Sequence, residues 1–213
     1  MLAEFEIAIN EVEHETTINR SRFICYLAPC HSSQEAKTLI KKYQYMHPQA
    51  SHHCYAFLTG NPTDNQGYGF SDDGEPFGTA GRPMLSVLQG ACIGQVCAVV
   101  VRYFGGTKLG TGGLQRAYGS SVRKALIFLK STTKIPMVDK TLACQYTQVN
   151  DVVHLVKQIG GLVVNQKFQE SVLFTLSIPC TKLDIITKQL KTLSKNTFHM
   201  LEFPNQICIA LTE

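Results

Sequence analysis

The chain lacks any long apolar run. Its longest uninterrupted aliphatic stretch is Val96–Val101, six residues, against the ~18–20 that a bilayer-spanning helix needs, so no membrane partner is expected. It also lacks a basic leader. Residues 1–15 hold five glutamates and no Lys or Arg, the opposite of a secretory signal. Among its eight cysteines (25, 30, 54, 92, 97, 144, 180 and 208) no pair has the Cys-x-x-Cys spacing, which argues against a zinc knuckle or a dithiol redox centre. Most of them sit in apolar runs such as FICYL and QVCAVVV, so buried, reduced thiols of a cytoplasmic protein are expected rather than disulfides.

The absence that bears most on function is of negative charge. From Pro76 through Val138 there is no Asp or Glu, while the same stretch carries eight bases: Arg82, Arg102, Lys108, Arg116, Arg123, Lys124, Lys130 and Lys134. The net charge of +4 over the whole chain hides that imbalance. Such a segment repels itself unless something negative lies near it. Three sources are open: the acidic amino-terminal residues, the Asp72–Asp73–Glu75 cluster, or a bound anion such as phosphate or nucleic acid. A solvated basic face is the alternative.

What is present points to a folded protein of one or two domains. With 44% apolar and 17% charged residues over 213 positions, the chain is neither disordered nor fibrous. Fourteen of its sixteen glycines fall between Gly60 and Gly119. The first half predicts strands at Val12–Ile18, Arg22–Leu27, His52–Leu58 and Gln95–Tyr103, the last buried on both faces. Helices are predicted from a Ser32 or Ser33 cap to Met46 with Glu35 placed for a capping box, over Ala80–Cys92 with Met84, Leu85, Leu88 and Cys92 inward, and over Leu114–Lys130. Ser131–Val138 reads as a linker. Beyond it, a strand over Thr141–Val149 and a helix from Asn150 to Gly160 are followed by a hairpin of Gly161–Phe168 with Ser171–Pro179. A helix carrying Leu183, Ile186, Leu190 and Leu193 and a strand over Thr197–Phe203 complete a ferredoxin-like βαββαβ order. Lys188, Lys191 and Lys195 share that last helix's outer face. The fold class is therefore α+β, with an amino-terminal domain over 1–134 and a carboxy-terminal ferredoxin-like domain over 138–213.

Between the buried strand and the following helix lies VVVRYFGGTKLGTGGLQRAYG. Neither the Walker loop nor the dinucleotide GxGxxG pattern fits it, so no nucleotide cofactor is expected, and no metal. A generic anion cradle remains: Gly105, Gly106, Gly110, Gly112 and Gly113 free the backbone, and helix-start amides attract negative charge. Arg82, Arg102, Lys108, Arg116 and Arg123 would supply cations. Arg116, Arg123 and Lys130 step by seven and share one stripe of the helix. The competing reading gives those glycines only tight turns and close packing to serve.

Two further clusters carry reactive residue types. His52 and Cys54 share one face of a strand, with His53 on the other. Asp72, Asp73 and Glu75 crowd a Gly–Pro turn. These five, His52, Cys54, Asp72, Asp73 and Glu75, are the candidates for catalysis on an anionic substrate. Their plainer reading is a core cysteine and carboxylates that hold the turn and pair with Arg82 or Arg102.

Three blocks, HHCYAF (52–57), SDDGEPFGTAGRPML (71–85) and VVVRYFGGTKLGTGGLQRAYG (99–119), together resemble the IMPACT family, its bacterial-type members above all. The resemblance spans nearly the whole chain. It implies an amino-terminal α+β sandwich similar to the second domain of a small-subunit ribosomal protein and to domain IV of elongation factor G. It also implies a carboxy-terminal domain like that factor's domain V. Eukaryotic relatives regulate translation under amino-acid starvation, largely through an extra amino-terminal domain, so that partner interaction is not expected here. No catalytic residue carries over. The expected function is translation-related regulation through binding RNA or the ribosome. A small hydrolase or transferase, or a module docking an acidic protein partner, are the alternatives.

Overall fold

The computed structural model describes residues 4–63, 67–194, 199–201 and 207–211. The chain divides into two units, Phe5–Thr133 and a second that runs from Lys134. The first contains β1 (Phe5–Ala8), β2 (Val12–Ile18), β3 (Ser21–Pro29), α1 (Ser33–Met46), β4 (His52–Leu58), β5 (Tyr68–Ser71), α2 (Gly81–Gly90), β6 (Ile93–Gly94), β7 (Val96–Tyr103) and α3 (Gly110–Leu126).

β7 is apolar on both faces because it is the central strand of an antiparallel sheet ordered β2-β3-β7-β4-β5. One face packs Ala98 and Val100 with Cys54 and Leu58 against Met84 and Leu88 of α2 and Tyr118 and Val122 of α3. The other packs Cys97, Val99 and Val101 against Ala36, Ile40 and Tyr43 of α1. Covering both sides of one strand requires helices on both sides of the sheet. β1 lies outside this sheet and pairs in parallel with β6.

α1 starts where its capping residue predicts. Ser32 Oγ accepts the Glu35 N–H at 3.1 Å, and the Glu35 carboxylate reaches back to the His31 N–H at 2.8 Å, one residue before the cap. α2 ends two residues sooner than its apolar spacing suggests. Cys92 is exposed, with φ +55, rather than inward. α3 begins at Gly110, four residues before Leu114, so Gly112 and Gly113 form its first turn instead of a loop.

Ser131–Val138 is not a linker. It begins β8 (Ser131–Cys144), in which Pro136 sits opposite Ile209. Its pairing with β12 from Lys134 to Val138 holds it as an extended strand and not a break. The second unit continues with α4 (Val149–Gln158), β9 (Leu162–Phe168), β10 (Val172–Pro179), α5 (Leu183–Ser194), β11 (His199–Leu201) and β12 (Ile207–Leu211). β10 pairs antiparallel with both β8 and β9, while β11 and β12 pair antiparallel with β8. This is the βαββαβ order with its strands arranged as in ferredoxin-like domains. Val172, Phe174, Leu176 and Ile178 of β10 pack against Val152 and Val156 of α4 and Ile186 and Leu190 of α5. Of the predicted strand Thr197–Phe203, only His199–Leu201 lies within the described residues. Lys188 and Lys191 are exposed on α5, and Lys195 falls outside the described residues.

Candidate functional site

Two neighbouring features meet around α2 and α3: a buried charge cluster under the acidic turn, and an exposed cationic surface.

The cluster is organised by Glu75. Its carboxylate is almost wholly buried and accepts from Arg102 Nη1 at 2.6 Å and from the Tyr118 hydroxyl at 2.7 Å, both on Oε1. His52 Nε2 stands 4.0 Å from the same oxygen, and His52 pairs with Arg102 across β4 and β7. Arg102 also donates to Ser21 Oγ at 3.3 Å, and its guanidinium lies 5.4 Å from the ring centres of Phe23 and Phe104. Arg102 is therefore not a solvent-facing cation, which corrects its place among the anion-binding candidates. β7 buries the side chain, and burial of a cation requires a carboxylate beside it.

The remaining carboxylates also serve the turn. Asp72 Oδ1 accepts from the N–H groups of Ala80 and Gly81, each at 2.9 Å, and Oδ2 accepts from Gly78 at 2.8 Å. A side chain remote in sequence thus caps α2. Asp73, with φ +41, binds the His53 N–H through Oδ2 at 2.6 Å, and its carbonyl meets His52 Nδ1 at 2.7 Å. The Cys54 thiol is fully buried and donates to the Asp72 carbonyl at 2.9 Å. Burial pushes both this thiol and the Tyr118 hydroxyl well above their ordinary values. A thiol held protonated and away from solvent is a poor nucleophile, so Cys54 leaves the catalytic candidates.

The glycine loop divides into two kinds of position. Gly105 is fixed by packing: a Cβ there would run into the backbone carbonyl of Arg20 at the β2–β3 turn. Its N–H donates to Ser21 Oγ at 3.1 Å. Gly105 therefore serves close approach and not a ligand cradle. Gly106 and Gly110 have φ +84 and +70 and open space where a side chain would be. No side chain caps the amino end of α3, and its first turn holds no acid.

Of the predicted cations, Arg116 and Arg123 line one groove between α2 and α3, about 1010 Å³ in volume. Arg82 is exposed on α2, one turn before the groove-lining Ser86, and Lys108 is exposed two residues before α3. None of these four makes an ion pair among the described residues. The acidic amino-terminal residues do not neutralise them either: Glu11 pairs with Lys42 and Glu15 with Arg22. Of the turn's acids, only Glu75 engages a base from the acid-free stretch, and that base is Arg102.

Tyr118, Ser21 and the capping role of Asp72 escape sequence reasoning. Each acts across dozens of residues or across a turn, where no local spacing signals it. The apolar groove lining is equally silent, because nothing in the local sequence shows that Val87, Ile93 and Leu126 come together.

Residues 19–126 match the Impact N-terminal domain, and residues 142–197 match a domain of unknown function, DUF1949. YigZ of Escherichia coli (strain K12), an IMPACT family member, is 42% identical over 184 residues, which cover 86% of this chain and 90% of that protein. An IMPACT family member of Haemophilus influenzae is 42% identical over 189 residues, covering 89% of this chain and 92% of the relative. A crystal structure described as that of a hypothetical protein shares 38% identity with a TM-score of 0.65, covering 96% of this chain and 99% of the other.

Proposed function

This chain belongs to the IMPACT family, and from that premise we propose that it is a translation-related regulatory protein of the cytoplasm that binds RNA or the ribosome through a basic, glycine-rich surface. The surface comprises Arg82, Lys108 and Arg116 with the amides of Gly106, Gly110, Gly112 and Gly113, and it continues toward Arg123. One observation carries this reading: the uncapped amino end of α3 opens among unpaired cations, in a stretch without a single carboxylate. Helix-start amides and the helix dipole favour an anion there. Lysine and arginine side chains add the salt-dependent attraction that phosphate backbones provide.

The hydrolase or transferase reading has less to stand on. Its thiol is buried and its three carboxylates are engaged in holding the turn and Arg102.

The test is binding of a labelled RNA duplex, and co-sedimentation with ribosomes, over a salt series. Affinity should fall steeply with salt. The Arg82→Glu/Lys108→Glu variant should bind about tenfold or more weakly, since two attractive charges become repulsive. Affinity unchanged in that variant removes this surface from the function.

A further inference from the structure

We infer that the groove between α2 and α3 is a docking seat for an acidic, amphipathic helix of a protein partner. The proposal goes beyond phosphate binding at the glycine-rich end of α3, because the groove is chemically different from that end.

Much of its lining is apolar: Pro83, Val87 and Ile93 from one stretch of the sequence and Leu126 and Ile127 from another, beside the polar Ser86, Gln115 and Ser120. Ile127 is 75% exposed. No aromatic side chain lines the groove, so it offers no stacking platform of the kind that single-stranded nucleic acid uses. Val87, Ile93 and Leu126 rest their inner sides on the core, and a phosphate backbone offers nothing apolar to the sides that face the groove. Burying them takes aliphatic side chains from a partner.

The rim specifies the partner's charge and form. Arg116 and Arg123 stand seven residues apart on α3, about 10.5 Å along its axis. A helix laid alongside repeats its own side chains at that same interval. Glutamates seven residues apart along one flank of such a helix would meet both guanidiniums, while a neighbouring stripe of leucine-type residues enters the groove, which is the helix-in-groove mode. Charge complementarity is one-sided, since no acidic residue occurs from Pro76 to Val138. Gly119 is buried where α3 faces α2: a Cβ there would touch Val87 Cγ2 at 3.6 Å, and a larger side chain would press on Val87 and Pro83 of the groove lining.

The experiment uses the full chain and a fluorescein-labelled helical peptide of about five turns, or about 18 residues. The peptide has leucines on one stripe and glutamates flanking it, and its twin carries lysines for the glutamates. Anisotropy should show saturable binding of the glutamate peptide, at least tenfold weaker for the twin. The same loss should follow from Arg123→Glu, from Gly119→Leu, and from Ile127→Glu, whose exposed side chain can change without touching the core. Arg82→Glu/Lys108→Glu, whose side chains lie outside the groove lining, should weaken peptide binding less than Arg123→Glu does while it weakens RNA binding about tenfold or more, so the two losses are distinguishable. Two results overturn the inference. One is no saturable binding, or binding indifferent to both Gly119→Leu and Ile127→Glu. The other is a peptide that fails to bind while the RNA duplex loses affinity in Ile127→Glu, which assigns the groove to nucleic acid.

Discussion

Replacing Glu75 by Gln should be among the most damaging single-atom changes available to the amino-terminal unit. The glutamine keeps the shape and can still accept from Tyr118, so the variant removes charge and little else. Arg102 would then be a guanidinium buried to 5% exposure with no anion within reach. Removing one partner of such a pair costs about 3–5 kcal/mol. For a chain of this size each kcal/mol shifts the melting temperature by roughly 2–4 °C, so a fall of ~6–20 °C is expected by calorimetry or circular dichroism. Glu15→Gln is the control. It breaks the pair with Arg22, 2.9 Å apart against 2.6 Å for Glu75 and Arg102 but with both side chains about half exposed, and should leave the melting temperature where it was. The double variant Glu75→Gln/Arg102→Met should recover most of the loss, because an apolar side chain between Phe23 and Phe104 needs no counter-charge. A Glu75→Gln protein within ~1 kcal/mol of the parent, or a double variant as unstable as the two singles summed, would refute the reasoning.

His47 predicts a response to acid. Its ring bridges the hydroxyls of Tyr26 and Tyr103 at 2.7 and 2.9 Å. Burial, with the neighbouring His53, lowers its pKa below the ordinary value of about 6.5. The folded state thus favours neutral His47, so its stability is fully present above pH ~6.5 and is lost as pH falls toward the lower folded value. Urea midpoints across that range should fall for the parent and flatten for His47→Gln. Ser32→Ala should destabilise by ~1 kcal/mol in the same assay, since it deletes the cap of α1. Gly105→Ala should cost about 1–3 kcal/mol, because the added methyl group meets the Arg20 backbone, and its urea midpoint measures that directly.

Elements defined by their own residues were legible in the sequence. β2 and β4 match their predicted bounds, and α1 starts beside the serine that caps it. The βαββαβ order was equally readable, because periodicity switches cleanly between strands and helices there. Errors arose where distant partners decide. Ser131–Val138 read as a linker from its threonines and Pro136, yet strand partners hold it extended. Arg102 stood both among the anion-binding cations and as a partner of the turn carboxylates, and only the fold, which brings Glu75 to it across 27 positions, decides for the second. The glycines read either as a cradle or as servants of tight turns and packing, and their roles prove mixed: Gly105 answers to the β2–β3 turn, and Gly112 and Gly113 to a helix. The charge imbalance was visible as a count. Which cations remain free followed only from knowing where each acid is engaged.

The pairing of β1 with β6 bears on the order in which the chain matures as it is synthesised. Beyond β1, the Ile9 N–H reaches the Lys130 carbonyl at 3.2 Å, the Lys130 N–H reaches Asn10 Oδ1 at 2.7 Å, and Thr133 bonds Glu6 at 2.7 Å. β1 thus meets β6 across about 87 residues, and the bonds to Lys130 and Thr133 close a still longer span of about 120. The closing of this strap is a long-range event, later than the β2–β3 hairpin and slower to form.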